Sequence, residues 1–168
     1  MTVYVFDTQL TEGEEAESAL DDYFGAQFHV YTVGMDAQRR GIDRIFVSPH
    51  QAAHKRLRVQ YKADRTASRT GNFFCETISV SSSGAPGWVI TSESDYLIYY
   101  LPLNGYAYAL RMSALRFNLP RWYHAYPSRQ IPNEGYYSHG ILVPLEALAK
   151  LCQLGQGKVL SGLPTFET

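Results

Sequence analysis

Residues 56–64, RLRVQYKAD, alternate without a break: Leu57, Val59, Tyr61 and Ala63 fall on one side, Arg56, Arg58, Gln60, Lys62 and Asp64 on the other. A period of two is the mark of a strand with one face toward a core and one toward solvent. Upstream the period changes. Ala16, Ala19, Leu20, Tyr23 and Phe24 recur at helical spacing behind the capping-box pair Thr11 and Glu14, which predicts a helix over 12–24 that stops at Gly25. Phe28, Val30, Tyr31 and Val33 predict a strand, and the polar stretch 34–41 a turn. IDRIFV at 42–47 predicts a second strand, stopped by Ser48-Pro49. FFCETISV at 73–80 is a further strand, and SSSGAPG at 81–87 is a loop by composition. Residues 96–101 and 106–110 form a hairpin across 102–105, and 112–118 a short helix ended by Pro120. Pro144, the stripe Leu145, Leu148, Ala149, Cys152, and then Gly155 mark a last helix. The expected class is α/β, a mixed sheet flanked by helices. No repeat or linker divides the chain, so 1–168 reads as one domain.

Two of these strands carry residues that admit a functional role beside a structural one. Asp43 shares a strand face with Ile45 and Val47, while Ile42, Arg44 and Phe46 point the other way. A carboxylate on an apolar face needs a partner, either a buried arginine or a metal ion. Gln60 and Lys62 stand on one face of the third strand, about 7 Å apart. One offers an oxygen to a hard cation, and the other a positive charge to a phosphate or an attacking water. The same alternation is also what any half-solvated strand shows.

Composition adds bounds. The chain has 168 residues, 45% hydrophobic and 14% aromatic, enough for a folded core. The longest apolar run, YLIYYLPL at 96–103, falls far short of a membrane span. MTVYVFDTQL lacks the basic start and apolar block of a signal peptide, and Cys75 and Cys152 stand alone, so a reducing cytoplasm is expected. The net charge of −1 argues against nucleic acid only until it is divided. Residues 1–38 hold eight acids and no Lys or Arg; residues 39–69 hold nine bases against two acids; the remainder is balanced. A basic block attracts phosphate even in a neutral chain, unless the acidic helix neutralises it on the folded surface.

The order of these pieces is more specific than any one of them. GEEAE at 13–17 leads into FHVYTV, then a polar turn, GIDRIF, a basic stretch and VQYKAD. This order resembles the PD-(D/E)XK, or restriction-endonuclease-like, nuclease superfamily, in particular its phage, mobile-element and resolvase-like branch. There a helix supplies a Glu, the second strand an Asp, and the third strand a Glu or Gln two residues before a Lys. The resemblance covers residues 11–80; GNFFCETIS and SDYLIYYLP also look similar to segments that follow the motif, and 88–155 would be accessory aromatic-rich strands and the last helix. It implies a restriction-endonuclease-like core with Asp43 as the main metal carboxylate, and Gln60 and the Tyr61 carbonyl as further ligands. Lys62 would orient water or stabilise the phosphorane charge. Glu17, four residues after Gly13, would be the helix acid, with Glu12 and Glu15 as alternatives. The implied cofactor is Mg²⁺, with Mn²⁺ as a substitute.

Two positions depart from the common pattern: Ile42 replaces a Pro, and Gln60 replaces an acid. The second removes a negative charge from a site for Mg²⁺, which prefers carboxylates. Glu17 would restore it; with no acid from the helix, a reading as a binding protein gains ground. The expected activity is metal-dependent hydrolysis of double-stranded DNA by a homing, restriction or junction-resolving endonuclease, acting as a homodimer or larger symmetric oligomer. Arg39, Arg40, Arg65 and Arg69 would touch backbone phosphates. The alternatives are an inactive nucleic-acid-binding relative, or an assembly subunit whose aromatic second half is an interface. Tyr96, Tyr99, Tyr100, Tyr106 and Tyr108 either stack on bases or pack within strands. Glu76 is either an extra acid near the metal or half of a salt bridge. His50, His54, Lys55 and Arg56 lie in a loop, touching DNA or simply solvated. The five histidines lack HxH or HExxH spacing and no GxSxG occurs, which leaves zinc and serine hydrolases without support.

Overall fold

The computed structural model describes residues 6–50 and 55–166; His54 lies outside them. The chain begins with α1 (Phe6–Gly25), which buries Ala16, Leu20 and Phe24 along one stripe. It starts earlier than the predicted helix, so Thr11 lies inside it instead of capping it. β1 (His29–Thr32), the short helix α2 (Met35–Arg39) and β2 (Arg44–Val47) follow. α2 occupies the stretch predicted as a turn. β3 (Arg56–Ala63), α3 (Arg65–Thr70), β4 (Asn72–Val80), β5 (Ala85–Pro86) and α4 (Trp88–Thr91) lead to the predicted hairpin, β6 (Tyr96–Leu101) and β7 (Tyr106–Arg111). α5 (Met112–Ala125), β8 (Ser128–Asn133), β9 (Tyr136–Pro144), α6 (Leu145–Gln153) and β10 (Gly157–Ser161) complete the order.

The strands form two sheets. One has six strands in the order β1-β2-β3-β6-β7-β10, and the other four in the order β5-β4-β9-β8. β1, β2 and β3 pair antiparallel; β3 then pairs parallel with β6, and the segment from α3 to α4 is the crossover that a parallel pair requires. Over the described residues the fold is therefore α/β, with a mixed sheet, an antiparallel sheet and six helices. α1 covers one face of the larger sheet, packing Leu20 and Phe24 on Phe46, Val59, Tyr61, Ile98 and Tyr100. The opposite face meets the second sheet, α5 and α6 through Phe73, Cys75, Leu97, Tyr99, Leu115, Trp122, Ile141 and Leu148. No described helix is long and apolar enough to cross a membrane. Cys75, fully buried, has its thiol pushed up to about 12 by desolvation and by the neighbouring Glu76, and so behaves as an inert core residue.

Covering both faces changes the reading of β3. Its middle, Val59, Gln60 and Tyr61, is buried on both sides, so Gln60 is not the solvated half of an alternating strand. A second correction concerns Pro120. α5 does not end before it but continues to Ala125, because the turn beyond carries Trp122, which is fully buried in the larger core. Burial of that indole offsets the hydrogen bond that proline removes. Pro120 itself is exposed, and Pro120→Ala is expected to raise stability by about 2 kcal/mol, as read by urea denaturation. An unchanged midpoint would mean that the helix is bent there without cost.

Candidate metal and phosphate site

Asp43 lies immediately before β2, whose first residue, Arg44, pairs with Val59. The Asp43 amide donates to the Val59 carbonyl at 2.8 Å. Its own carboxylate then accepts the Tyr61 amide at 2.7 Å, taking the place of a strand carbonyl where the ladder ends. The chain reaches this position through Gly41, whose φ of +74° suits glycine. A Cβ there would stand 2.6 Å from the Ser92 hydroxyl oxygen, so glycine also lets Ser92 approach closely enough to donate to the Gly41 carbonyl at 3.0 Å. Burial raises the Asp43 carboxyl above the usual range; the Tyr61 amide, Lys62 and Arg44 pull it back only in part.

Gln60 adjoins this acid on β3. Its Oε1 is buried and has no hydrogen-bond partner among the described residues. Such an acceptor lacks the donor or cation that burial ordinarily demands. Lys62, two residues on, shares the Gln60 face by strand periodicity. Its Nζ lies 5.6 Å from the centroid of the Trp88 ring. It opens into a cavity of about 490 Å³ that Asp64, Glu76, Ser79, Trp88 and Tyr99 also line. Asp64 caps α3 by accepting the Ala67 amide at 2.7 Å, and accepts the Tyr99 hydroxyl at 2.6 Å. Burial, reinforced by Asp64, raises the Tyr99 phenol well above its ordinary value. Glu76 accepts a long 3.4 Å bond from the Trp88 amide and forms no ion pair among the described residues.

Glu17 lies elsewhere. Arg44 shares the α1 side of the sheet with Ile42 and Phe46, and its guanidinium reaches Asp21 at 2.8 Å and Glu17 at 2.9 Å. The Tyr61 hydroxyl donates to Asp21 at 3.1 Å. The buried ion pair foreseen for this strand thus exists with the roles exchanged. Arginine is the buried member, and helix acids answer it. Asp43 feels the charge of Lys62, and Gln60 and Lys62 share a face of β3, but Lys62 lines the cavity while Asp43 and Gln60 do not; Glu17 is engaged on the α1 side of the sheet. Glu12 is paired with Arg65 at 3.5 Å and Glu15 is exposed. Of the four predicted phosphate contacts, Arg40 is paired with Glu93 at 3.0 Å, Arg65 is held by Glu12, and Arg39 and Arg69 are exposed.

The tyrosines divide in the same way. Tyr99, Tyr100 and Tyr108 are buried, and the Tyr100 hydroxyl donates to the Pro164 carbonyl. They are packed strand residues, whereas Tyr96 stays partly open beneath Arg111. Sequence reasoning missed Asp64 and Arg44 as organising groups. Asp64, directly after an alternating strand and three residues before Ala67, carries a readable helix-cap signature. Arg44 sits between Ile42 and Phe46, the same anomaly that drew attention to Asp43.

The donors at Asp43 and Gln60 are oxygens, which suits a hard divalent cation that keeps several waters. Among the described residues, no group of three His, Cys, Asp or Glu side chains converges as a metal cluster. Comparison of the chain with family models, curated proteins and solved structures finds no match.

Proposed function

We propose that this chain is a metal-dependent DNA endonuclease with a restriction-endonuclease-like core, a single domain that works as a homodimer or larger symmetric oligomer. One observation carries the reading. The Asp43 carboxylate accepts the amide of Tyr61, the residue after Gln60, and the buried Oε1 of Gln60, two residues before Lys62, has no hydrogen-bond partner among the described residues. The order of elements supports it: a helix, then antiparallel strands with the acid at the second and Q-x-K on the third.

Asp43 and Gln60 would hold a Mg²⁺ ion, which supplies an acidified water and a Lewis acid for the phosphate. The Tyr61 amide fixes one carboxylate oxygen of Asp43 and leaves the other for the cation. Lys62, steadied over Trp88, holds its ammonium toward the open cavity, where it stabilises charge on the phosphate oxygens. Glu76 and Asp64 give that cavity the acids that Gln60 and Glu17 do not. Glu17 serves the fold through Arg44. A second reading, a nucleic-acid-binding protein without catalysis, is favoured by that same engagement of Glu17.

The test is incubation with supercoiled plasmid and linear duplex in Mg²⁺ or Mn²⁺, with EDTA as control. The expected result is metal-dependent cleavage that falls about 100-fold in Lys62→Ala and is unchanged in Glu17→Gln. DNA binding with no cleavage in either metal would leave the second reading. Cleavage that survives Lys62→Ala would remove the proposed site.

A further inference from the structure

A second depression, of about 830 Å³, lies at the opposite end of β3 from Lys62. Lys55, Arg56 and Arg58 line one side, Arg111 and Arg116 the other, and Glu93 and Asp95 are its acids. Both acids are already matched. Asp95 receives Arg58 at 2.8 Å, and although burial opposes it, this contact holds its carboxyl below the usual range. Glu93 receives Arg40 at 3.0 Å. Lys55, Arg56, Arg111 and Arg116 then remain with no carboxylate partner among the described residues.

Arg116 is fixed, not merely present. Its guanidinium donates to the Val89 carbonyl at 2.9 Å and to the Ser92 carbonyl, which orient the group and leave its charge uncompensated. Arg111 lies over the Tyr96 ring, 6.0 Å from its centroid. α5 opens at this edge with no acid in its first turn, so its positive end adds to the same field. A concave surface with four uncompensated cations attracts a polyanion. Thr91 of α4 lines both this depression and the cavity at Lys62, so the two lie on either side of that residue. From Arg58 to Lys62 is four residues of strand, about 13 Å.

We propose that this groove carries the phosphodiester backbone of one DNA strand, entering between Arg56 and Arg111 and passing α4 to Lys62. The assignment rests on the nuclease reading for its direction, since the groove leads to the residues proposed to cut. It also revises the phosphate contacts. The basic block acts through Lys55 and Arg56 together with Arg111 and Arg116 from the second half of the chain, while Arg40 and Arg65 are spent on ion pairs.

The test is fluorescence anisotropy with labelled single-stranded and duplex DNA in EDTA, across a salt series. Arg56→Ala with Arg111→Ala is expected to weaken binding about tenfold and to lower the log–log salt slope by about two. Arg111→Lys is expected to keep binding, and Arg129→Ala, exposed on β8, to change nothing. Circular dichroism melts verify that the double variant is folded; if it is not, Lys55→Glu, at an exposed position, carries the test with a weakened affinity. An unchanged affinity and slope would overturn the groove, as would polyglutamate competing as well as DNA at equal charge. A single strand bound as tightly as duplex supports one backbone as the ligand; duplex alone would overturn it. Cleavage with an unchanged slope removes the groove and spares the nuclease reading. Binding through the groove without cleavage does the reverse.

Discussion

Arg44→Ala is expected to lower the stability of the fold by about 3–5 kcal/mol, measured by urea denaturation. Arg44 is only 7% exposed, yet its guanidinium is fully answered. Nε reaches both Asp21 oxygens at 2.9 and 3.0 Å, Nη2 reaches Asp21 and Glu17, and Nη1 donates to the Asp43 carbonyl at 2.9 Å. The two acids, one helical turn apart on α1, hold its charge on more firmly than usual, although burial opposes it. Removing the side chain opens a hole beneath α1. It also leaves two like charges facing each other at i and i+4, and strips the Tyr61–Asp21 bond of its counter-charge. Arg44→Lys should recover only part of the loss, because an ammonium cannot fork to both carboxylates. A loss under about 1 kcal/mol would place this contact among ordinary surface pairs.

How much of this was legible in the chain depends on where the neighbours come from. The β6–β7 hairpin and the last helix are local, and their turn and periodicity signals sit within the elements themselves. The alternation of β3 was legible, but not the burial of Gln60, because the covering layers are brought there by residues 72–91 and 136–151. The β8–β9 hairpin went unread: β8 is exposed throughout and carries Pro132, so it has no apolar period to detect. Pro120 misled for a related reason. A local breaker signal lost to tertiary burial of Trp122. At the candidate site, Gln60 and Lys62 could be put on one face because strand spacing is rigid, and Asp43, on a different segment, was joined to them only by the resemblance. Glu17 could not be placed, since nothing local tells which face of a sheet a preceding helix will cover.

Asp43→Asn separates function from stability and is expected to move them in opposite directions. The folded protein raises the Asp43 carboxyl above its usual value, chiefly by burial. A carboxyl with a folded pKa above the unfolded one destabilises the ionised fold. That loss sets in as pH rises through the unfolded pKa, near 3.9, and is complete above the folded pKa. Asparagine keeps an oxygen for the Tyr61 amide and has no charge to desolvate. At neutral pH without metal, Asp43→Asn should therefore melt higher than the wild type, and the difference should shrink as pH falls below about 4. Cleavage should fall about a thousandfold, for a loss of about 4 kcal/mol of transition-state stabilisation. Mg²⁺ supplies the decisive contrast, because a cation bound to the carboxylate stabilises only the protein that has one. It should raise the wild-type melting temperature and leave that of Asp43→Asn unchanged, as differential scanning calorimetry can read with and without EDTA. If instead the variant melts lower at neutral pH and Mg²⁺ shifts neither protein, Asp43 is a structural cap of the β2–β3 ladder, and the metal site proposed here does not exist.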